Sequence, residues 1–209
     1  GAISVLTYAT AVVVACEIAD SSANHGSGGA IFAHLGGRLH VSGSTLRDCT
    51  ASIGGLVAFH SASGSLDETS LLYGVSLHSG GCLVTEAGAE VTLRAVILRG
   101  CKDTPGVSVP SACSSAGSYY QGGGGAILVA SVGTKLTVTD SDIESCVSGI
   151  QGGAALILDG KLILRGCRLS GNVACWTGGA IESKGGHTEV QNCVFDLHTV
   201  HSNLGAIVC

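Results

Sequence analysis

Apolar and polar residues alternate along this chain in short runs that return at a nearly constant spacing. A glycine pair, a small residue and an aliphatic residue open each repeat, as in Gly28-Gly29-Ala30-Ile31, and the first glycines of six pairs lie at positions 28, 54, 80, 124, 152 and 178. The steps between them are 26, 26, 44, 28 and 26 residues. A fixed period of this size is typical of a solenoid, in which similar units stack on one another.

Two further apolar segments in each repeat predict two more strands. The first alternates apolar and polar residues, as in Leu39-His40-Val41 and Leu136-Thr137-Val138, and a period of two indicates a β-strand. The second is centred on one large apolar anchor. The anchors are Ile18, Leu46, Leu72, Leu98, Ile143, Leu169 and Phe195. Since three short strands cannot bury an apolar face alone, coils must stack at about 4.8 Å. We therefore predict an all-β chain forming a three-faced parallel β-helix, with three short strands per coil of about 26 residues and roughly seven to eight coils.

The composition agrees with a rod of this kind. The chain has 33 glycines, 45% hydrophobic residues and only 4% aromatic residues, which suits a core of stacked small and aliphatic side chains. No apolar stretch reaches the roughly 20 residues that a membrane-spanning helix needs, so we expect no membrane span. Both ends of the sequence fall inside a repeat. We therefore interpret residues 1–209 as a single β-helix domain that continues at both ends and carries a loop insertion at residues 102–121.

Positions at fixed distances from the anchors carry residues that replace one another. Two residues before the anchors stand Cys16, Ser44, Ser70, Val96, Ser141, Cys167 and Cys193. Three residues after the anchors stand Ser21, Cys49, Val75, Cys101, Cys146, Asn172 and His198. The exchange of Ser, Cys, Val and Asn indicates small side chains that turn toward the interior.

These repeats resemble those of the polymorphic outer-membrane-protein family, which carry a GGAI motif and an F-x-x-N motif. GGAI is intact at residues 28–31, 124–127 and 178–181, whereas the second motif is degenerate and reads Leu169-Ser170-Gly171-Asn172 at its clearest. The resemblance covers the chain outside the insertion. It implies a right-handed parallel β-helix of a secreted or surface-displayed protein, and it carries no catalytic residue.

Ten cysteines leave two interpretations open. Buried cysteines can serve as small hydrophobic residues in stacked thiol ladders, whereas secreted proteins keep cysteines as disulfides. Cys167 and Cys193 occupy the same register in adjacent coils, and so do Cys101 and Cys146 across the insertion. Each pair is therefore a candidate for an inter-coil disulfide, because neighbouring strands bring the Cα atoms to about 4.8 Å. The sequence contains no C-x-x-C spacing, which makes a zinc site the weaker interpretation of the cysteines.

The insertion at residues 102–121 offers a candidate contact surface. It contains both prolines, Cys113 and the pair Tyr119-Tyr120. Long loops on a rigid scaffold often bind partners, and tyrosine is a common interface residue. A tolerated insertion held by Cys113 is the alternative.

Two sets of ionisable residues merit a chemical interpretation. His34, His60 and Glu86 each lie six residues beyond the first glycine of their pair, so stacking places them in one row that is either a polar ladder or a weak metal site. The acidic residues Asp140, Asp142 and Asp159 are the best candidates for the carboxylates of a β-helical polysaccharide lyase or hydrolase. A solvated acidic face is the simpler interpretation.

We expect a non-catalytic structural and interaction solenoid, extracellular or on the cell surface, acting as a rigid spacer, a fibre or appendage segment, or an adhesion scaffold. Its expected partners are proteins, further coils of the same chain or a glycan, and it needs no cofactor. The net charge of −5 argues against nucleic acid. Two alternatives remain, a polysaccharide-active enzyme and a peripheral scaffold subunit of a large assembly.

Overall fold

A computed structural model describes residues 1–103, residues 122–201 and the backbone of a last strand at Ile207–Val208. Within this part of the chain there is no helix, and therefore none that could cross a membrane. The strands form parallel sheets in which each strand pairs with the equivalent strand of the next coil. The result is a β-solenoid of about seven turns with roughly 26 residues per coil, as the sequence predicts.

Three long sheets run the length of the solenoid. Sheet A contains β1 (Ile3–Val5), β5 (Ile31–His34), β9 (Val57–His60), β13 (Leu83–Glu86), β16 (Ile127–Ala130), β20 (Ala155–Leu158), β24 (Ile181–Lys184) and β28 (Ile207–Val208). Sheet B contains β2 (Thr10–Val14), β6 (Arg38–Ser42), β10 (Ser63–Asp67), β14 (Glu90–Arg94), β17 (Lys135–Thr139), β21 (Lys161–Arg165) and β25 (His187–Gln191). Sheet C contains β3 (Glu17–Ala19), β7 (Thr45–Arg47), β11 (Ser70–Leu72), β15 (Ile97–Arg99), β18 (Asp142–Glu144), β22 (Arg168–Ser170) and β26 (Val194–Asp196).

Most coils also contain a fourth short strand, which the sequence did not predict. These strands form two three-stranded sheets, of which the first contains β4 (Ser22–Ser27), β8 (Thr50–Ile53) and β12 (Val75–Ser79). The second contains β19 (Val147–Ser148), β23 (Val173–Ala174) and β27 (Thr199–Val200). Most of their residues are small or polar, and they pair in parallel with the equivalent strands of the neighbouring coils.

The glycine pairs are required where the chain turns into sheet A. Gly124 has a φ of +76°, in the left-handed region that favours glycine. Gly125 has another reason, because a Cβ there would fall within 3.0 Å of the carbonyl oxygen of Gly153 in the next coil. The first glycine therefore permits the turn, and the second permits the coils to stack closely.

Aligned apolar side chains fill the interior. The anchors Leu46, Leu98, Ile143 and Leu169 are fully buried and stand in register along sheet C. The third coil differs from the prediction by one residue, because Leu71 aligns with Leu46 and Leu98. Leu71 is fully buried whereas the predicted anchor, Leu72, is only partly buried. Both are leucine, so the sequence alone could not distinguish them.

Side chains at the corner between sheets B and C tie neighbouring coils together. The Ser141 hydroxyl donates to the carbonyl of Thr139 (2.7 Å) and accepts a hydrogen bond from the amide of Val96 in the preceding coil (3.0 Å). Ser44 repeats this arrangement nearer the start of the chain. Its hydroxyl donates to the carbonyl of Ser42 (2.8 Å) and accepts a hydrogen bond from the amide of Cys16 in the preceding coil (3.1 Å). The shift of the third anchor replaces Ser70 in this row by Thr69, which is 1% exposed.

Asn172 makes a stronger bridge at the next corner. Its Oδ1 accepts a hydrogen bond from the amide of Cys146 in the preceding coil (3.0 Å), and its Nδ2 donates to the carbonyl of Ile143 (2.9 Å). In the third coil the same row holds Gly74 and not Val75, again because of the one-residue shift. These two rows explain why small polar residues exchange at the positions that flank the anchors.

Candidate functional site

The proposed contact residues of the insertion, Cys113, Tyr119 and Tyr120, lie outside the described residues. The point where the insertion begins is described, and it holds a buried acid. Asp103 is 3% exposed, its Oδ1 accepts from the amide of Gly149 (2.7 Å), and its Oδ2 accepts from the hydroxyl of Ser148 (2.8 Å). Burial raises the pKa of Asp103 to about 6, although both hydrogen bonds oppose the shift.

A disulfide joins Cys82 and Cys101 beside this point, with the Cα atoms 5.4 Å apart. This differs from the predicted pairing of Cys101 with Cys146. Cys82 occupies the alanine position of a GGAI repeat, so the bond runs across the interior and not along the row of stacked cysteines. Gly74 lies beside the disulfide at a crowded point, because a Cβ on residue 74 would lie 2.5 Å from the carbonyl oxygen of Gly81, 2.8 Å from Cγ of Leu56 and 3.0 Å from the sulfur of Cys82.

Five of the described cysteines are free thiols, and three of these are buried. The free cysteines are Cys16, Cys49, Cys146, Cys167 and Cys193. Cys167 and Cys193 stand in the same row as predicted, but without a disulfide, and the Cys193 sulfur lies 3.4 Å from the amide of Cys167. Burial raises the pKa of Cys146 to about 12 and that of Cys167 to about 11. Such thiols act as small core residues and not as nucleophiles.

His34, His60 and Glu86 stand side by side on β5, β9 and β13. The two imidazole rings lie edge to face with centroids 4.7 Å apart, and Nδ1 of His60 lies 3.0 Å from Oε1 of Glu86. Throughout the described ranges, no group of three His, Cys, Asp or Glu side chains is arranged to hold a metal ion. The three side chains form a partly exposed polar row on the outside of sheet A.

The three predicted catalytic acids lie at different places. Asp142 opens β18 on the outside of sheet C, next to Arg168 of the following coil, whereas Asp140 lies in the preceding corner with a φ of +49°. Asp159 lies at another corner, where the chain passes from sheet A to sheet B. The structure does not bring the three carboxylates together in one groove.

A groove does open at the corner that holds Asp159, and sequence inspection missed it. Four residues link β16 to β17, but only two link β20 to β21 and two link β24 to β25. The corner therefore protrudes in one coil and recedes in the next two. The step leaves a groove of about 420 Å³, with the Gly133-Thr134 turn and the receding Gly160 and Gly185-Gly186 corners in its lining.

Basic side chains line the sheet B side of this groove. Lys135, Lys161 and His187 are the first residues of three neighbouring strands and stand in register. Asp159 faces them from the sheet A side, and a Cβ on Gly185 would collide with its carboxylate. Glycine at position 185 therefore keeps room for Asp159 at the base of the groove.

The carboxylates that pair with the two lysines lie outside the lining. Lys135 Nζ is 3.0 Å from Oε1 of Glu90, and Lys161 Nζ is 3.7 Å from Oε2 of Glu189. Glu189 bonds more closely to Arg165 (3.0 Å), whose guanidinium lowers the pKa of the glutamate. The lysine side chains are 45% and 42% exposed, whereas Glu189 is only 28% exposed and has Arg165 as its closer partner. Ion pairs that face solvent to this extent are weak, so a ligand can displace the two glutamates from the lysines.

Comparison of the chain with models of protein families, with curated proteins and with solved structures finds no match.

Proposed function

We propose that this chain is a non-catalytic structural and interaction solenoid of a secreted or surface-displayed protein, of the polymorphic outer-membrane-protein repeat type. In this role it is a rigid spacer, a fibre or appendage segment, or an adhesion scaffold. The proposal begins from the fold, because a solenoid whose coils bond to their neighbours through three sheets holds its length and presents flat faces.

The observation that supports this proposal is the use the chain makes of its charged side chains. Ion pairs on the outside of sheets B and C join residues of neighbouring coils. Among the described residues they are Arg47–Glu17 (2.6 Å), Arg94–Asp67 (3.3 Å), Arg99–Glu144, Lys135–Glu90 (3.0 Å), Lys161–Glu189 (3.7 Å), Arg165–Glu189 (3.0 Å) and Arg168–Asp196 (3.8 Å). Each exposed pair adds only about 0 to 1 kcal/mol, but together they brace the coils from outside. Groups engaged in this way serve a scaffold better than an active site.

The disulfide supports the proposed compartment. Disulfides persist in oxidising environments, and the bond between Cys82 and Cys101 crosses the interior beside the insertion. In protein isolated from its source, peptide mapping without reduction should recover the peptides of Cys82 and Cys101 joined. Two alkylated cysteines in their place would contradict the oxidising compartment.

Surface labelling tests the proposed location directly. An antibody to this chain should label intact cells of the source, or their extracellular matrix, and external protease should remove the signal. Labelling that requires permeabilised cells would contradict the proposal. Incubation with neutral and acidic polysaccharides should release no new reducing ends or unsaturated sugars, and sustained release would favour the enzyme alternative.

A further inference from the structure

The groove between sheets A and B has the character of a ligand site. Its volume of about 420 Å³ falls within the range of roughly 300 to 1,000 Å³ that small-molecule sites occupy. It also crosses three successive coils, because equivalent residues of those coils line it. A ligand that fills it therefore lies along the axis of the solenoid.

We propose that this groove binds an acidic polysaccharide chain, with its carboxylate or sulfate groups on Lys135 and Lys161. The inference deepens the proposed interaction function by naming a site and a ligand class, and it rests on that function only in treating the solenoid as a binding scaffold. The two ammonium groups donate to the acidic groups of the sugar, and the Asp159 carboxylate accepts hydrogen bonds from sugar hydroxyls.

The charge of the lining favours an anion. Inside the groove Lys135 and Lys161 outnumber the single carboxylate of Asp159, while Glu90 and Glu189 lie outside the lining. Charge-assisted hydrogen bonds from ammonium to carboxylate or sulfate are stronger than those between neutral groups. When the ligand binds, Lys135 exchanges its ion pair with Glu90, and Lys161 its ion pair with Glu189, for contacts with the acidic groups of the ligand inside the groove.

The repeat of the site favours a polymer over a small anion. The strands that carry the two lysines are adjacent, so their Cα atoms repeat at about 4.8 Å along the axis. A single small anion can bridge both ammonium groups, but it would leave most of the 420 Å³ groove empty. The glycines at positions 160, 185 and 186 supply no side chains, so the receding corners stay open to an elongated ligand.

Nucleic acid is the weaker candidate for the same groove. The lining contains no Phe, Tyr or Trp side chain, and His187 is its single ring, whereas single strands bind mainly by the stacking of successive bases on aromatic residues.

Calorimetry with the whole chain tests the proposal. The probes are oligogalacturonate as a carboxylated chain, a heparin fragment as a sulfated chain, methyl-esterified oligogalacturonate as the neutral match, and a single-stranded oligonucleotide. We expect the first or the second to bind, with an affinity that falls as salt rises, and the neutral match and the oligonucleotide not to bind. Equal binding of the neutral match, or preference for the oligonucleotide, would overturn the ligand class.

Three variants place the binding site. Lys161→Gln should weaken binding about tenfold, because it removes one charge-assisted contact. Arg38→Gln, which removes an exposed charge from the same row of sheet B outside the groove, should leave affinity unchanged. Asp159→Asn should tighten the binding of an acidic chain, because it removes the opposing charge while asparagine tolerates the φ of +60° there.

Three results would refute the groove as the site. They are equal loss of affinity in Lys161→Gln and Arg38→Gln, weaker binding in Asp159→Asn, or no binding of either acidic chain by the wild type. Circular dichroism confirms that each variant keeps its fold. If acidic chains fail to bind while the antibody still labels the cell surface, the groove proposal fails and the proposed function stands.

Discussion

Protonation of Asp103 should govern part of the stability of this solenoid, and replacement by asparagine isolates that part. Burial is the dominant cause that raises the pKa of this carboxyl from 3.8 to about 6. A shift of about 2 units corresponds to roughly 3 kcal/mol of unfolding free energy. Because the folded-state pKa is the higher one, the contribution is complete below about pH 3.8 and is lost as the pH rises through about 6.

The Asp103→Asn variant keeps the shape of the side chain without the titration. Its Oδ1 still accepts from Gly149, and its Nδ2 can donate to the hydroxyl of Ser148 once that hydroxyl rotates. The unfolding free energy of the variant relative to the wild type should therefore rise by about 2.4 kcal/mol between pH 4 and pH 7, since part of the full 3 kcal/mol is already lost at pH 4.

Urea denaturation of both proteins at a series of pH values measures this difference. The matched control is Asp142→Asn, which removes an exposed carboxylate in the outer row of sheet C. A constant difference between wild type and Asp103→Asn across the series would refute the reasoning. If the unfolding free energy of the wild type instead rises relative to that of the variant as the pH rises, the hydrogen bonds from Ser148 and Gly149 outweigh the cost of burying the charge.

Three further predictions concern the stacking of the coils. Gly125→Ala should lower the unfolding free energy by more than about 2 kcal/mol, because its Cβ would collide with a carbonyl of the next coil. The control Gly26→Ala should change it by less than about 0.5 kcal/mol, since the nearest atom to a Cβ there is 3.9 Å away. Equal urea midpoints for the two variants would contradict this prediction. Asn172→Ala leaves the buried amide of Cys146 without its partner and should lower the unfolding free energy by about 1 to 3 kcal/mol in the same assay. A cost near zero would show that this bridge does not stabilise the stacking of the coils. Burial raises the pKa of Cys146 to about 12 and should protect this thiol from iodoacetamide at pH 8 until urea unfolds the chain. The exposed Cys16 should react at once. Mass spectrometry of the alkylated protein measures the order, and simultaneous labelling of the two cysteines would contradict it.

The fold could be predicted because its requirements repeat in every coil. Gly124 is needed for a backbone angle and Gly125 for close stacking, and both needs recur wherever the chain enters sheet A. Register was harder to predict. Leu71 and Leu72 both fit the anchor pattern, and only the pairing with the neighbouring strands selects Leu71.

The repeat pattern could not predict the disulfide, because the bond joins two different positions of the repeat. Cys101 belongs to a row of stacked small residues, and the natural expectation is a bond along that row. Cys82 stands where other repeats carry alanine or leucine, and in the interior its Cα lies 5.4 Å from that of Cys101, beside Gly74. Sequence spacing reports neighbours along the solenoid axis and says little about distances across its core.

The groove, in contrast, left a signal in the sequence. The repeat from Gly124 to Gly152 spans 28 residues and the next spans 26. The structure places the two extra residues in the link between β16 and β17. A uniform solenoid has flat faces and straight corners, so any local change in repeat length must appear as a ridge, a step or a loop at the surface. In this chain the shortest such change forms the wall of the groove beside Lys135 and Lys161. In this chain, therefore, a two-residue departure from the period marks the position of the proposed binding groove.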